Sequence, residues 1–311
     1  MYRVVKETGQ KAPGYAVVWC PDFRLQAVVR RVNWREEPVA LVDDGQRQSL
    51  VLARNVAAAR EGVDVGMKTI QALARCSGLR VERPSASGEL AAGRTLLETA
   101  LGWVPGIEET EAGLLTLDLT TQVEEEWLES GRRTRGRLYD LGFEVAVGLG
   151  ETPSLARIAA LAAWQRGGSL WHLHRESRLE MLDGLPLTVA ETGEELNERL
   201  RLWGIETLGA FARLSREAVA SRLGEEGIEL WLRSTGRLRR PLKLARLEQL
   251  FEEHHDFDYE VCDRESLLFV VNRFIENLSV RVERTGRAVI AVHLLLSYVD
   301  GGCYAKRLTL P

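Results

Sequence analysis

Residues 15–26, with the sequence YAVVWCPDFRLQ, constrain this chain more than any other segment. Residues 16–19 form an unbroken apolar run, which predicts a buried β-strand. Pro21 ends the pairing of that strand, and Asp22 follows directly. Folds of the α/β type place their chemistry at such a strand end. An enzyme that uses Mg²⁺ would need several carboxylates there, because this ion prefers oxygen ligands, and the segment offers only Asp22.

Composition places the chain among globular proteins. Its residues are 45% hydrophobic and 28% charged, and its length of 311 residues is enough for several domains with sizeable cores. No apolar run approaches the roughly 18 residues of a membrane span, and the N-terminus lacks the apolar core of a secretory signal. The four cysteines are widely spaced without a C-x-x-C pair, which favours a reducing compartment, so we expect a cytoplasmic protein.

Hydrophobic periodicity predicts the order β-α-β-β-α-β in the first half of the chain, which is typical of a ferredoxin-like sheet. An excursion at 32–85 is inserted into that order, with two short strands and two short helices. Short helices interrupted by glycines follow at 185–240. A strand at 250–259, a helix at 264–284 and strands at 287–298 and 303–310 come last, which predicts an incomplete β-α-β-β-α-β module.

Several of these segments carry a family resemblance. EPVALV at 37–42, NVAAAREG at 55–62 and LWGIETLGAF at 202–211 occur in the same order and spacing as segments of the Y-family translesion DNA polymerases. The chain most resembles the ImuB-like branch, which has lost polymerase activity. The resemblance implies an α+β, right-hand architecture: a ferredoxin-like palm, inserted fingers, a helix-hairpin-helix thumb and a partial β-α-β-β little finger. The implied bounds are palm 1–31 and 86–184, fingers 32–85, thumb 185–240 and little finger 241–311.

Departures from that family concern the first metal carboxylates. Active members carry two metal-binding Asp residues on the first strand, two residues apart, before an aromatic steric gate. Alignment on Phe23 and Gln26 puts Trp19 and Pro21 at the two carboxylate positions and Arg24 at the gate. Neither Trp nor Pro can coordinate Mg²⁺. The resemblance therefore predicts that the first half of the metal site is lost.

The second carboxylate pair of the family lies on the palm hairpin. Counting back from Asp118 without gaps places Gly113 and Leu114 there, whereas a gapped alignment offers Glu108 and Glu109. We favour the ungapped alignment, because the centre of a hairpin strand tolerates insertion poorly. Asp22, Glu108 and Glu109 remain as residual candidate ligands.

The positions that grip the nucleotide triphosphate in the family also lack the expected side chains. Val56 and Ala59 stand where the family's fingers use Tyr and Arg to grip the triphosphate. Asp22 has the residue type of a helix cap, and we predict that role for it. No metal site is expected at His172 and His174, nor at 254–255, because neither pair has a third spaced ligand. We expect no cofactor, and Mg²⁺ only if the chain is an active polymerase.

A basic stretch at 233–246, RSTGRLRRPLKLAR, lies where the thumb is expected to join the little finger. Cationic side chains in such a linker bind phosphates rather than bases, which predicts DNA contact. Acidic residues at the first thumb turn, 191–195, lower the expected affinity. The predicted DNA-binding residues are Arg233, Arg237, Arg239, Arg240, Lys243 and Arg246.

These observations predict a non-catalytic Y-family homologue that serves as a DNA-binding scaffold in bacterial DNA-damage tolerance, the SOS-type translesion synthesis that causes mutagenesis. The resemblance implies three partners: a RecA-like ImuA protein, an error-prone replicative-type polymerase and the sliding clamp. Two alternatives stay open. The chain is an active translesion polymerase with displaced ligands, or a DNA-binding interaction module unrelated to lesion bypass.

Overall fold

The computed structural model describes residues 14–30, 34–43, 49–245, 251–255, 257, 261, 263–283, 288–299 and 302–310. Contacts group the chain into two compact units, Met1–Ala245 and Arg246–Pro311. Within the described residues, no helix is long and apolar enough to cross a membrane.

The first unit is built on a five-stranded sheet with β1 at its centre. The sheet has the order β5-β6-β1-β7-β8, with β1 antiparallel to both β6 and β7 and β8 parallel to β7. Four of these strands have the ferredoxin-like order, which confirms the predicted palm. The edge strand β8 was not predicted, because three residues are too short for a periodic pattern. The strands are β1 (Tyr15–Trp19), β5 (Ile107–Glu111), β6 (Leu114–Asp118), β7 (Ala146–Gly150) and β8 (Leu170–His172).

Four helices accompany this sheet: α1 (Phe23–Val29), α4 (Ala86–Leu101), α5 (Glu124–Asp140) and α6 (Pro153–Gln165). Helix α6 approaches the sheet closely, because its alanines face glycines of β7. A Cβ on Gly148 would lie 2.0 Å from the carbonyl oxygen of Ala156. Thr152 caps α6 by accepting a hydrogen bond from Leu155 N at 3.3 Å, and Pro153 occupies the first turn, where a missing N–H costs nothing.

A second sheet lies within the predicted fingers segment. Its strands are β2 (Val39–Val42), β3 (Val51–Arg54) and β4 (Arg80–Glu82), in the order β3-β2-β4, with helices α2 (Val56–Arg60) and α3 (Thr69–Arg75). The buried side chain of Asn55 holds this segment together. Its Oδ1 accepts from Val39 N at 3.0 Å and Ala58 N at 2.9 Å, and its Nδ2 donates to Glu37 O at 2.6 Å.

Helix α7 (Arg178–Asp183) follows the sheet and ends just before the predicted thumb segment. The thumb segment contains a 3₁₀ helix (Leu187–Ala190), α8 (Glu194–Leu202), α9 (Leu208–Ala212) and α10 (Arg216–Ser234). Their apolar side chains share one core with α6, including Leu155, Phe211 and Trp231. Helix α10 is kinked at Gly224, whose backbone has φ +63°.

The second unit contains α11 (Arg264–Glu283) and an antiparallel hairpin of β9 (Ala291–Ser297) and β10 (Cys303–Thr309), in agreement with the predicted helix and strands. The strand predicted at 250–259 differs. Its described residues, 251–255 and 257, form no strand, and the others lie outside the described part of the chain. Four consecutive polar residues at 252–255 explain the difference, because they interrupt the alternation that a half-buried strand needs.

Candidate functional site

The end of β1 brings together the four positions that the family resemblance assigns to metal carboxylates. Trp19 pairs with Leu114 of β6, and Cys20 N donates to Gly113 O at 2.8 Å. Pro21 follows at the turn that leaves β1. None of these four side chains offers an oxygen ligand.

Trp19 at this strand end is partly buried and packs against the core. Its indole packs edge-on against Trp164 of α6, with ring centroids 6.3 Å apart and an interplanar angle of 79°. Such a pair contributes about 0.5–1.5 kcal/mol beyond its buried area. The ring also contacts the shared apolar core of α6 and the helices that follow. The space at this position is filled by aromatic packing.

Pro21 is fixed by the buried amide of Gln26. Gln26 Nε2 donates to Pro21 O at 2.7 Å and to Glu144 O at 3.0 Å, and its Oε1 accepts from Glu144 N at 2.8 Å. The side chain is only 1% exposed. These bonds fasten the turn after β1 to the segment that enters β7.

Gly113 shows why a carboxylate does not fit at the start of β6. Its backbone has φ +78°, which L-residues with a side chain rarely adopt, and an added Cβ would lie 2.5 Å from Cβ of Phe23. Phe23 begins α1 and is buried. An Asp at this position would require both backbone strain and displacement of Phe23.

Asp22 corrects one sequence-based prediction. It occupies the N-cap position of α1, but its backbone is left-handed (φ +48°, ψ +39°) and its side chain makes no capping hydrogen bond, so the predicted capping role is wrong. A capping residue needs an extended backbone to direct its oxygen at the first free amides. Partial desolvation raises the pKa of Asp22, and nearby Arg54 of β3 opposes this effect.

Glu108 is engaged by the basic linker. Arg240 donates to its two carboxylate oxygens from Nη1 at 2.7 Å and from Nη2 at 2.6 Å, and Lys243 N donates to Oε2 at 2.6 Å. Hydrogen bonding from Arg240 holds the pKa of the Glu108 carboxyl group below its usual value. The neighbouring Glu109 is exposed, and adjacent strand residues point to opposite faces.

The three residual candidate ligands therefore do not converge. Among the residues that the structure describes, only Glu124, His172 and His174 form a group of three ligands with their ligand atoms within 4.8 Å of one another. The prediction that His172 and His174 lack a third ligand is wrong. Helix α5 supplies Glu124, which is remote in sequence and therefore invisible to a spacing motif.

The gate and fingers positions carry no arrangement for gripping a nucleotide. Arg24 Nε donates to Glu89 of α4 at 3.1 Å. Val56 is 60% exposed at the start of α2, and Ala59 follows one turn later. Neither side chain can hydrogen-bond or pair with a phosphate.

Some basic side chains of the linker contact other residues of the chain, whereas others are exposed to solvent without an ion-pair partner among the described residues. Arg240 is held by Glu108, Arg233 lies 3.8 Å from Glu229, and the guanidinium of Arg237 lies 4.7 Å from the ring centroid of Trp231. Arg239 and Lys243 are exposed, and in the described part of the chain no carboxylate lies within ion-pair distance of either. The sixth predicted residue, Arg246, lies outside the described residues.

Comparison with known proteins gives one consistent result. The model of the impB/mucB/samB family matches residues 18–161. The chain is 24% identical over 288 residues to DNA polymerase IV of Legionella pneumophila, which covers 90% of this chain and 77% of the relative. It is 22% identical to DNA polymerase IV 1 of Bacillus subtilis, over 89% of this chain and 68% of the relative.

Two solved structures resemble the fold. DinB from Sulfolobus solfataricus superposes with a TM-score of 0.63 at 16% identity, covering 96% of this chain and 88% of that one. A post-insertion binary complex of Dbh DNA polymerase also gives a TM-score of 0.63, at 17% identity, covering 96% and 87%. At these identities the likeness concerns the fold alone.

We expect Gly113→Ala to lower the free energy of unfolding by about 2–3 kcal/mol, because the added methyl group meets Phe23 and the left-handed backbone is strained. Gly136→Ala is the matched control. A Cβ at Gly136, inside α5, meets nothing within 4 Å, so that change should stabilise the chain by about 0.5–1 kcal/mol. Urea denaturation followed by tryptophan fluorescence measures both. Equal stability of the two variants would contradict the packing described for Gly113.

Glu108→Gln should lower the free energy of unfolding at pH 7 by about 1–2 kcal/mol, because it removes the charge that Arg240 and Lys243 N bind. The folded-state pKa of Glu108 lies below its unfolded value, so the stabilisation is complete above the unfolded pKa of about 4.3 and is lost as pH falls through the folded value. The variant should lose less stability on acidification than the parent chain.

Glu109→Gln is the control for this experiment, because Glu109 is an exposed neighbour of the same type. It should change stability by less than about 0.5 kcal/mol at either pH. Denaturation at pH 7 and below pH 4 provides the comparison. If the two variants behave alike, the Glu108–Arg240 pair does not anchor the linker.

Proposed function

We propose that this chain is a non-catalytic member of the Y-family DNA polymerases that acts as a DNA-binding scaffold in bacterial DNA-damage tolerance. Residues 18–161 belong to the impB/mucB/samB family, and the chain has the α+β fold of the Y-family DNA polymerases. One observation carries the proposal. The four positions that would hold the metal carboxylates are Trp19, Pro21, Gly113 and Leu114, brought side by side at one strand end.

The chemistry of this ligand set supports the proposal. Phosphoryl transfer by a two-metal site needs carboxylate oxygens to hold Mg²⁺ against the reacting phosphates. An indole, a pyrrolidine ring, a hydrogen and an isobutyl group supply none. The residues at this strand end therefore do not fit the metal ions of a polymerase, and their loss should lower the rate of nucleotide transfer by orders of magnitude.

An active polymerase is the second candidate function, because the relatives named above are DNA polymerases IV. It would have to hold metal ions with Asp22 and Glu109, since Glu108 is committed to Arg240. A single exposed Asp and a Glu on another strand make a weak ligand set for two ions. Primer extension separates this candidate from the scaffold.

DNA binding remains part of the proposal although the site has lost its carboxylates. Relatives that are named DNA polymerases support DNA as the ligand. Arg239 and Lys243 present cationic side chains to solvent, and the Glu108–Arg240 pair fixes the linker that carries them. Contacts of this kind bind the phosphate backbone without regard to sequence.

A scaffold that does not synthesise DNA needs partner proteins that carry out the synthesis. Following the ImuB-like resemblance, we propose an error-prone replicative-type polymerase, a RecA-like ImuA protein and the sliding clamp as these partners. Affinity capture with the full chain from bacteria carrying damaged DNA tests this part. Recovery of none of the three would favour a DNA-binding module unrelated to lesion bypass.

We expect no template-dependent incorporation by this chain in primer extension with Mg²⁺ or Mn²⁺, because none of the four positions that the resemblance assigns to metal carboxylates offers an oxygen ligand. Asp22→Ala and Glu109→Gln serve as diagnostic variants. Synthesis that Asp22→Ala abolishes would overturn the non-catalytic proposal. Synthesis that neither variant changes would indicate a contaminating polymerase.

Arg239→Gln and Lys243→Gln should each weaken duplex DNA binding and reduce the slope of log K against log salt by about 1, because each removes one phosphate contact. Arg75→Gln on α3 is the control, since Arg75 is an exposed arginine outside the linker. Fluorescence anisotropy across salt concentrations gives the slopes. A slope near zero for the parent chain would mean that the linker neutralises few phosphates.

A further inference from the structure

A cluster of side chains that could bind a metal ion lies where β8 meets the first turn of α5, away from the end of β1. His172 ends β8 and His174 follows two residues later, so both side chains project from the same side of the extended chain. Their ring centroids are 3.8 Å apart. Glu124 is the first residue of α5, and its Oε1 lies 3.7 Å from His172 Nε2 and 3.9 Å from His174 Nδ1.

These distances are too long for hydrogen bonds and close to the spacing of ligands around a metal ion. A hydrogen bond between a carboxylate and an imidazole needs a separation of about 2.7–3.2 Å, which both contacts exceed. In a tetrahedral zinc site with bonds of about 2.0–2.2 Å, neighbouring ligand atoms lie about 3.3–3.6 Å apart. The two distances from Glu124 exceed this spacing by only a few tenths of an ångström, and all three ligand atoms lie within 4.8 Å of one another.

The surroundings hold the ligands in place. The indole of Trp127 packs against the His172 ring with centroids 5.7 Å apart, and His172 is only 6% exposed. A ring whose orientation is set by packing loses little entropy when it binds an ion.

We propose that Glu124, His172 and His174 bind one late first-row transition-metal ion, with Zn²⁺ as the physiological ligand. Two imidazole nitrogens and one carboxylate suit Zn²⁺, whereas Mg²⁺ and Ca²⁺ prefer sites made wholly of oxygen. Three protein ligands leave a fourth position for water. That position opens towards a cleft of about 560 Å³ that Glu151, Ser177 and Glu180 also line.

The ion would join three elements that are separate in sequence. Helix α5 supplies one ligand, and strand β8 and the segment that leads to α7 supply the other two. None of the residues at the end of β1 takes part, so this site does not depend on the proposed function. Its effect is to fasten the three-residue edge strand β8, which in the sheet pairs with β7, to the start of α5.

Isothermal titration of the chelator-treated full chain with ZnCl₂ tests the proposal, with Co²⁺ absorption to report the ligand geometry. We expect one bound ion per chain and a rise in melting temperature at saturating Zn²⁺. His174→Ala and Glu124→Gln should each weaken binding at least 10-fold. Both residues are exposed, so these changes preserve the fold, whereas replacement of buried His172 risks unfolding.

His293→Ala is the matched control, because His293 is an exposed histidine on β9 outside the cluster. It should leave Zn²⁺ affinity unchanged. The proposal is overturned if the parent chain binds no Zn²⁺, or if His174→Ala and Glu124→Gln bind it as tightly as the His293→Ala control. A tenfold excess of Mg²⁺ that displaces Zn²⁺ would equally contradict the assigned ligand set.

Discussion

The buried amide of Gln26 fixes the geometry on which the candidate site depends. It bonds the carbonyl of Pro21 and both backbone groups of Glu144, and thereby ties the turn after β1 to the start of β7. A buried amide that lost these partners would cost about 1–3 kcal/mol, so the turn is strongly specified. The left-handed backbone of Asp22 lies inside this turn, which explains how an unfavourable conformation persists.

The positions that the family resemblance assigns to the metal carboxylates are each occupied in a different physical way. The ring of Trp19 packs against Trp164, and Phe23 lies too close to Gly113 for a side chain there. Leu114 packs in an apolar cluster with Val17. Restoring one carboxylate would therefore bury a charge or displace a core side chain without creating a second ligand. The packing of this strand end therefore supports the proposal that the chain holds no catalytic metal ions.

Local pattern and family resemblance predicted most of the helices and strands but not which distant residues meet. The helix predicted at 264–284, for example, is observed as α11 (Arg264–Glu283). Strand β8 was missed because three residues carry no periodic signal. The Glu108–Arg240 pair and the approach of Glu124 to His172 join residues remote in sequence, so only the tertiary structure reveals them.

Charge pairing also changes the interpretation of the thumb. Acidic residues at its first turn were expected to repel DNA, yet Arg157 of α6 binds both Glu191 of that turn, at 2.6 Å, and Glu111 of β5, at 2.7 Å. One guanidinium thus offsets part of the acidic charge and fastens the turn to the palm. In the basic linker an acidic residue offsets basic charge instead, because Glu108 pairs with Arg240. The surface that remains cationic is therefore narrower than the sequence indicates, and it centres on Arg239 and Lys243.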